Sequence, residues 1–268
     1  MLTTFFVGFT QSGEKFHAKT RALEKALVKA FPGTELVYPT APIELKESEL
    51  PEGKELLGGD SASSWAWWQA RQPHSAPFHE YVGLDLGLER IAAVLEQDGP
   101  FDGVIGFSQG AAAAAMTAAL LEPGRKEAFA EVENNAGGIP FPPSFDRLDH
   151  PPLRFVVSYS GFVSTHPGYA AFYKPLIATP SLHYHGTLDT VLEESWARAL
   201  LDSCEHRSNG HDGTLVVHPS GHSVPLGRRE LLVVTSFVRS LFTSDDAQAG
   251  NPATAATEED VLDMDVPF

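Results

Sequence analysis

Short unbroken apolar runs alternate along the chain with segments whose apolar residues fall at helical spacing, so the pattern predicts strands alternating with helices. Leu2 to Phe9 is a β-type run ending in Gly8-Phe9-Thr10-Gln11-Ser12-Gly13. From Glu14 to Ala30, Phe16, Leu23, Leu27 and Ala30 mark one helix face, and Pro32-Gly33 stops the element. Glu35 to Tyr38 reads as a second strand. Leu84 to Gln97 reads as an amphipathic helix, with Leu84, Leu88, Ile91 and Leu95 together on one side. Val104 to Phe107 is a buried strand, and Gln109 to Leu121 is an alanine- and leucine-rich helix. Further on, Arg154 to Ser158, Leu182 to His185 and Thr214 to His218 read as strands, and Glu193 to Ser203 and Val224 to Phe242 as helices. Gly161 to Pro180 reads as loop holding one helical turn.

Two proline-rich stretches break this rhythm, residues 39–80 and 122–152. Neither has enough periodic apolar residues to bury a core of its own, so both are read as lid-like insertions over a single domain spanning 1–242. Strands alternating with helices call for a mostly parallel sheet covered on both faces, the α/β class. A chain of 268 residues can fill one such core.

Charge narrows the partners. The net charge of −16 disfavours nucleic acid and anionic membranes, which select basic surfaces. Part of that charge is local, because residues 243–268 hold seven acids and no Lys or Arg. Their composition leaves little to bury and predicts a disordered tail. Cys204 is the one cysteine, so no intramolecular disulfide can form, as suits a reducing compartment. No run approaches a membrane span, and no secretory signal is read at Leu2 to Phe9. A soluble, cytoplasmic protein is expected.

The candidate chemistry centres on Gly106-Phe107-Ser108-Gln109-Gly110, a G-x-S-x-G string between a predicted strand and a predicted helix. In that context it reads as a nucleophile elbow presenting Ser108. A serine hydroxyl needs a base to take its proton and a third group to orient that base. In α/β-hydrolases these follow in the order acid, then histidine. Asp189 lies just after the strand leading to Gly186, and His222 lies in the loop after the last strand, beside Gly221. Among eleven histidines, His218 is the nearest rival, but a strand end fixes its direction; His183 and His185 share a strand face and read as structural. Asp202 sits in a helix, Asp212 in a polar loop, and Glu193 and Glu194 suit a helix N-terminus. Oxyanion donors are expected from the backbone amides of Gln109 and Phe9, with Thr10 the alternative to Phe9. No metal or cofactor is called for.

The chain resembles the FSH-type family of serine hydrolases, small α/β-hydrolases common in fungi with an ovarian-tumour-associated human relative. The shared pieces are Gly8 to Gly13, Tyr38 to Pro42, the Trp67-Trp68 pair, Gly83-Leu84-Asp85, the string Gly99 to Gly110, Ser160-Gly161-Phe162 and Gly221-His222. The resemblance implies an esterase or thioesterase with Ser108, Asp189 and His222 as its triad. It departs at Val7, where the family usually has a histidine that helps shape the oxyanion loop, and at Val191-Leu192, where Val-Pro is frequent. Relatives in fungal polyketide pathways release acyl chains held as thioesters on a carrier domain, so such a carrier is one expected partner and a small acyl ester or thioester the substrate. Thr10, Trp65, Trp67, Trp68, Phe141 and Phe162 are the candidate acyl-pocket residues. Arg147 with Arg154, or Arg228 with Arg229, could meet a carrier. A stand-alone carboxylesterase and a non-catalytic hydrolase fold are the alternative readings.

Overall fold

The computed structural model describes residues 1–50, 64–73, 77–205 and 213–249. Its spine comprises β1 (Leu2–Phe6), β2 (Glu35–Val37), β7 (Gly103–Phe107), β8 (Phe155–Tyr159), β9 (Ser181–Gly186) and β10 (Thr214–His218), numbered in chain order with the four insertion strands below. These six make one sheet in the order β10-β9-β8-β7-β1-β2, and every neighbouring pair is parallel. The connecting helices are α1 (Gly13–Ala30), α2 (Leu84–Asp98), α3 (Gln109–Leu120), α6 (Glu194–Leu201) and α7 (Arg228–Ala249). The fold is that of an α/β-hydrolase, as the residue pattern predicts.

Alternation along the strands sorts side chains into two cores. Phe5, Ile105, Phe155 and Val157 face one side, where they pack with Phe16, Leu23 and Leu27 of α1 and Val234, Phe237 and Val238 of α7. Phe6, Val104 and Val156 face the other, against α2 and α3. All residues of α3 are buried. A helix that is apolar all round must be enclosed, and its alanine run lets it lie close to the sheet. Parallel strands all end at one edge, so the loops after β1, β7, β8, β9 and β10 converge there. That edge carries the site.

Several boundaries differ from the pattern. The first strand stops at Phe6, because the chain turns through Thr10 (φ 70°) and the Thr10 amide donates to the Trp65 carbonyl at 2.8 Å. The first insertion forms two antiparallel pairs, β3 (Ile43–Leu45) with β4 (Ser64–Ala66) and β5 (Gln69–Arg71) with β6 (Glu80–Val82). The second forms α4 (Arg125–Ala136) and α5 (Pro143–Asp146), and the stretch before β9 holds a 3-10 helix at Pro167–Phe172. The last helix starts at Arg228, after the His222 loop, and runs to Ala249, past the expected boundary at 242. Residues 250–268 of the acidic tail lie outside the described residues. No helix among the described residues is long and apolar enough to cross a membrane.

A buried ion pair fastens the second insertion. The guanidinium of Arg125, 1% exposed, donates to Glu122 Oε2 at 2.6 Å and to the carbonyls of Ala119, Ala171 and Pro175. Glu122 Oε1 accepts from both the amide and the hydroxyl of Thr179 at 2.8 Å. One charge pair therefore ties the end of α3, the start of α4 and the segment leading into β9. Arg125→Ala is expected to lower the unfolding free energy by about 3–5 kcal/mol in urea titration, since it leaves Glu122 buried and unpaired. Adding Glu122→Gln should recover part of that loss. A loss below about 1 kcal/mol from Arg125→Ala would contradict a stabilising clamp.

Candidate active site

Ser108 sits at the junction of β7 and α3 with φ 54° and ψ −120°, a strained backbone for a non-glycine residue. Its amide donates to the Tyr159 carbonyl at 2.8 Å, which anchors the turn to β8. The flanking glycines are required by contact. A Cβ on Gly110 would stand 2.1 Å from the Phe6 carbonyl oxygen, and one on Gly106 would stand 2.3 Å from that of Gly110. The chain can turn this sharply only where both side chains are absent, and the turn pushes the Ser108 hydroxyl out of the sheet edge.

The loop after β10 brings His222 to it. His222 Nε2 lies 2.9 Å from Ser108 Oγ, and Nδ1 lies 2.7 Å from Asp189 Oδ2. The His222 side chain is 5% exposed and that of Asp189 is wholly buried. Phe107 flanks the imidazole, with ring centroids 4.9 Å apart. Asp189 lies in the loop after β9. Its Oδ1 accepts from the amides of Val191 and Leu192, each at 2.9 Å, and Oδ2 also accepts from Ser160 Oγ at 3.0 Å. Burial alone would raise the Asp189 pKa; the hydrogen bond from His222 and those from the two amides outweigh it and bring the carboxyl from 3.8 to about 2. An ionised carboxylate can only accept, so the proton between the two residues belongs to His222 Nδ1. The other ring nitrogen, Nε2, is the one that faces the Ser108 hydroxyl.

The rivals are placed elsewhere. His218 is 2% exposed, at the end of β10. Burial lowers its pKa, which favours the neutral imidazole. His183 and His185 are buried in β9, with His183 Nε2 2.9 Å from Ser181 Oγ. Asp202 caps the end of α6, and Glu194 pairs with Arg198 within that helix. Asp212 lies outside the described residues.

The amides of Phe9 and Gln109 donate to no backbone or side-chain acceptor among the described residues, and Gln109 is the first residue of α3. The Thr10 amide is committed to Trp65, so of the two expected donors in the first loop Phe9 is the uncommitted one. Val7 is fully buried, and its carbonyl accepts from Trp67 Nε1 at 2.9 Å.

The aromatic residues divide. Trp67 and Trp68 are 0% and 1% exposed and belong to the core, which corrects their expected place in an acyl pocket. Trp67 packs on Phe6, and Trp68 stacks on Tyr81 at 4.8 Å. Trp65 is half-buried and borders a cavity of about 580 Å3 with Ser12, Lys15, Thr40 and Arg90. Phe141 is half-buried with its edge on Phe129, and Phe162 is half-buried beside Trp196. Thr10 is 1% exposed, beneath the loop. Arg154 precedes β8, at the opposite end of the sheet from Ser108, where it pairs with Asp102 at 3.6 Å and stacks on Phe242. Arg228 and Arg229 are exposed at the start of α7.

Sequence reasoning assigned no role to two side chains that matter here. The Gln109 carboxamide accepts from the Trp67 amide at 2.9 Å and donates to the Trp68 carbonyl at 2.8 Å, locking the first insertion to the elbow. Ser160 reaches Asp189. Both contacts join residues far apart in the chain, so no local pattern marks them.

The depressed pKa of Asp189 makes a stability prediction. Its folded value lies below its unfolded one, so its contribution is complete above about pH 4 and is lost as pH falls toward about 2. Parent minus Asp189→Asn unfolding free energies should shrink by about 2 kcal/mol over that window in urea titrations. Parallel curves would show that the carboxylate is not stabilised in the folded state.

Comparisons with known proteins identify the family of the chain. The family described as Serine hydrolase (FSH1) matches residues 3–232. Family of serine hydrolases 3 of Saccharomyces cerevisiae is 30% identical over 281 residues, covering 96% of this chain and 93% of its own. Esterase OVCA2 of Danio rerio is 33% identical over 230 residues, covering 81% of this chain and 87% of its own. A Schizosaccharomyces pombe protein named dihydrofolate reductase is 34% identical over 225 residues, 81% of this chain, and the match takes in only 42% of that protein's length. Among solved structures, acyl-protein thioesterase 2 of Zea mays aligns over 90% of this chain and 93% of its own, with TM-score 0.55 at 21% identity, a likeness of fold. The family match over most of the domain, joined to two relatives at 30% and 33% identity aligned over most of both chains, shows that the chain belongs to the Serine hydrolase (FSH1) family.

Proposed function

We propose that this protein is an esterase or thioesterase acting through an acyl-enzyme on Ser108, with His222 as base and Asp189 as its orienter. The unbroken chain from Ser108 Oγ through His222 to Asp189 Oδ2, at 2.9 and 2.7 Å, carries this reading. Ser108 Oγ attacks the acyl carbonyl while His222 Nε2 takes its proton. The developing oxyanion is met by the amides of Phe9 and Gln109, the second strengthened by the N-terminus of α3. His222 then returns the proton to the leaving alkoxide or thiolate, and water, activated by the same nitrogen, releases the acid. Asp189 stays ionised throughout and stabilises the imidazolium. A complete donor chain argues against a fold kept only for binding.

The substrate proposed is an acyl chain, of polyketide type, held as a thioester on a carrier domain and met in the cytosol. Support comes from the family resemblance, the half-buried Trp65, Phe141 and Phe162, and the exposed Arg228 and Arg229 beyond the His222 loop. A stand-alone carboxylesterase is the second reading. The net charge of −16 favours it, since carriers are commonly acidic and like charges slow encounter, as does the engagement of Arg154 away from the site.

Ser108→Ala and His222→Ala should each lower kcat at least about a thousandfold on a chromogenic acyl ester, with the circular dichroism spectrum unchanged. Activity within tenfold of the parent for either would refute the assignment. The two substrate readings separate when one acyl group is offered as a carrier thioester, a small-thiol thioester and an alkyl ester. A carrier role requires the highest kcat/KM on the carrier form and its loss on Arg228→Ala plus Arg229→Ala. Equal turnover of all three leaves the carboxylesterase.

A further inference from the structure

Three non-glycine residues hold a positive φ among the described residues: Thr10 at 70°, Ser108 at 54° and Ser160 at 50°. Such a backbone is strained for a residue that carries a Cβ, and strain of this kind persists where the surroundings enforce it, often at functional sites. Thr10 shapes the loop presenting Phe9, and Ser108 is the elbow serine. Ser160 follows β8, 1% exposed, with its amide donating to the Tyr184 carbonyl at 2.9 Å. Glycine would adopt this conformation without strain. It would lack the one group that Ser160 brings to the site, a hydroxyl 3.0 Å from Asp189 Oδ2.

We infer that Ser160 is a positioning residue of the hydrolytic site, holding the Asp189 carboxylate in the plane that meets His222; this rests on the triad reading above. The amides of Val191 and Leu192 fix Oδ1 alone, which leaves the carboxylate able to twist about its bond to Cβ. The Ser160 hydroxyl holds Oδ2 from a second direction, so the oxygen facing His222 Nδ1 is fixed independently of the imidazole. Each carboxylate oxygen then accepts two hydrogen bonds, which fills its lone-pair directions inside a niche closed to water. By donating to Oδ2, the hydroxyl also favours the charged carboxylate and so keeps the shared proton on Nδ1.

The test uses Ser160→Ala, which removes the hydroxyl and keeps the strain, and Ser160→Gly, which removes both. Both should lose about tenfold in kcat on an acyl ester with KM within about twofold, although their melting temperatures differ, with glycine the more stable. The low-field proton resonance of His222 Nδ1–H should move in both. In an Asp189→Ala background, adding Ser160→Ala should cost less than about twofold, because its partner is already gone. Loss of kcat that tracks melting temperature, an unmoved resonance, or a full tenfold cost without Asp189 would overturn the inference. Parent-like turnover in both variants while Ser108→Ala is inert would reject Ser160 alone; turnover by Ser108→Ala would reject the triad reading beneath it.

Discussion

The structure depends on how closely α3 approaches the ends of β1 and β7. With Gly110 pressed against the carbonyls of Phe6 and Val7, the helix begins directly over the sheet edge, and Ser108 has no conformation left but a strained one. That proximity does two things together. It lifts the hydroxyl clear of the sheet, and it sets the first amide of α3 beside the loop that follows β1. The alanine run pays for the approach by offering no side chain larger than a methyl group between helix and strands.

Around that contact the protein is braced from two directions. On one side, the Gln109 carboxamide bonds to Trp67 and Trp68, and Trp67 bonds on to Val7, so the first insertion, the elbow and the loop presenting Phe9 form one hydrogen-bonded body. On the other, the Arg125 and Glu122 pair gathers the far end of α3 and the segments beneath β9. Both braces limit how far α3 and the loop after β1 can shift relative to each other.

The site also shows how environment divides labour among chemically identical groups. His218 and His222 lie near one another in sequence, yet His218 is enclosed at a strand end where burial lowers its pKa, and His222 stands between an acid and a hydroxyl. Asp189 is buried but saturated with donors, and is thereby kept charged. Position relative to the end of the sheet decides these surroundings.

The sequence by itself determined the alternating α/β architecture, the elbow at Gly106 to Gly110 and the positions of Asp189 and His222. Strand periodicity, turn glycines and the order of elements are local or nearly local signals. The tertiary structure alone decided that Trp67 and Trp68 belong to the core, that Thr10 spends its amide on Trp65, that Gln109 ties the insertion down, and that Ser160 touches Asp189. The physical reason is common to all four. In a parallel sheet, neighbouring strands are joined by long crossovers, so the partners at the sheet edge are chosen by strand order and register. Hydrophobic periodicity tells a strand which face to bury, and it is silent on which strand will lie beside it.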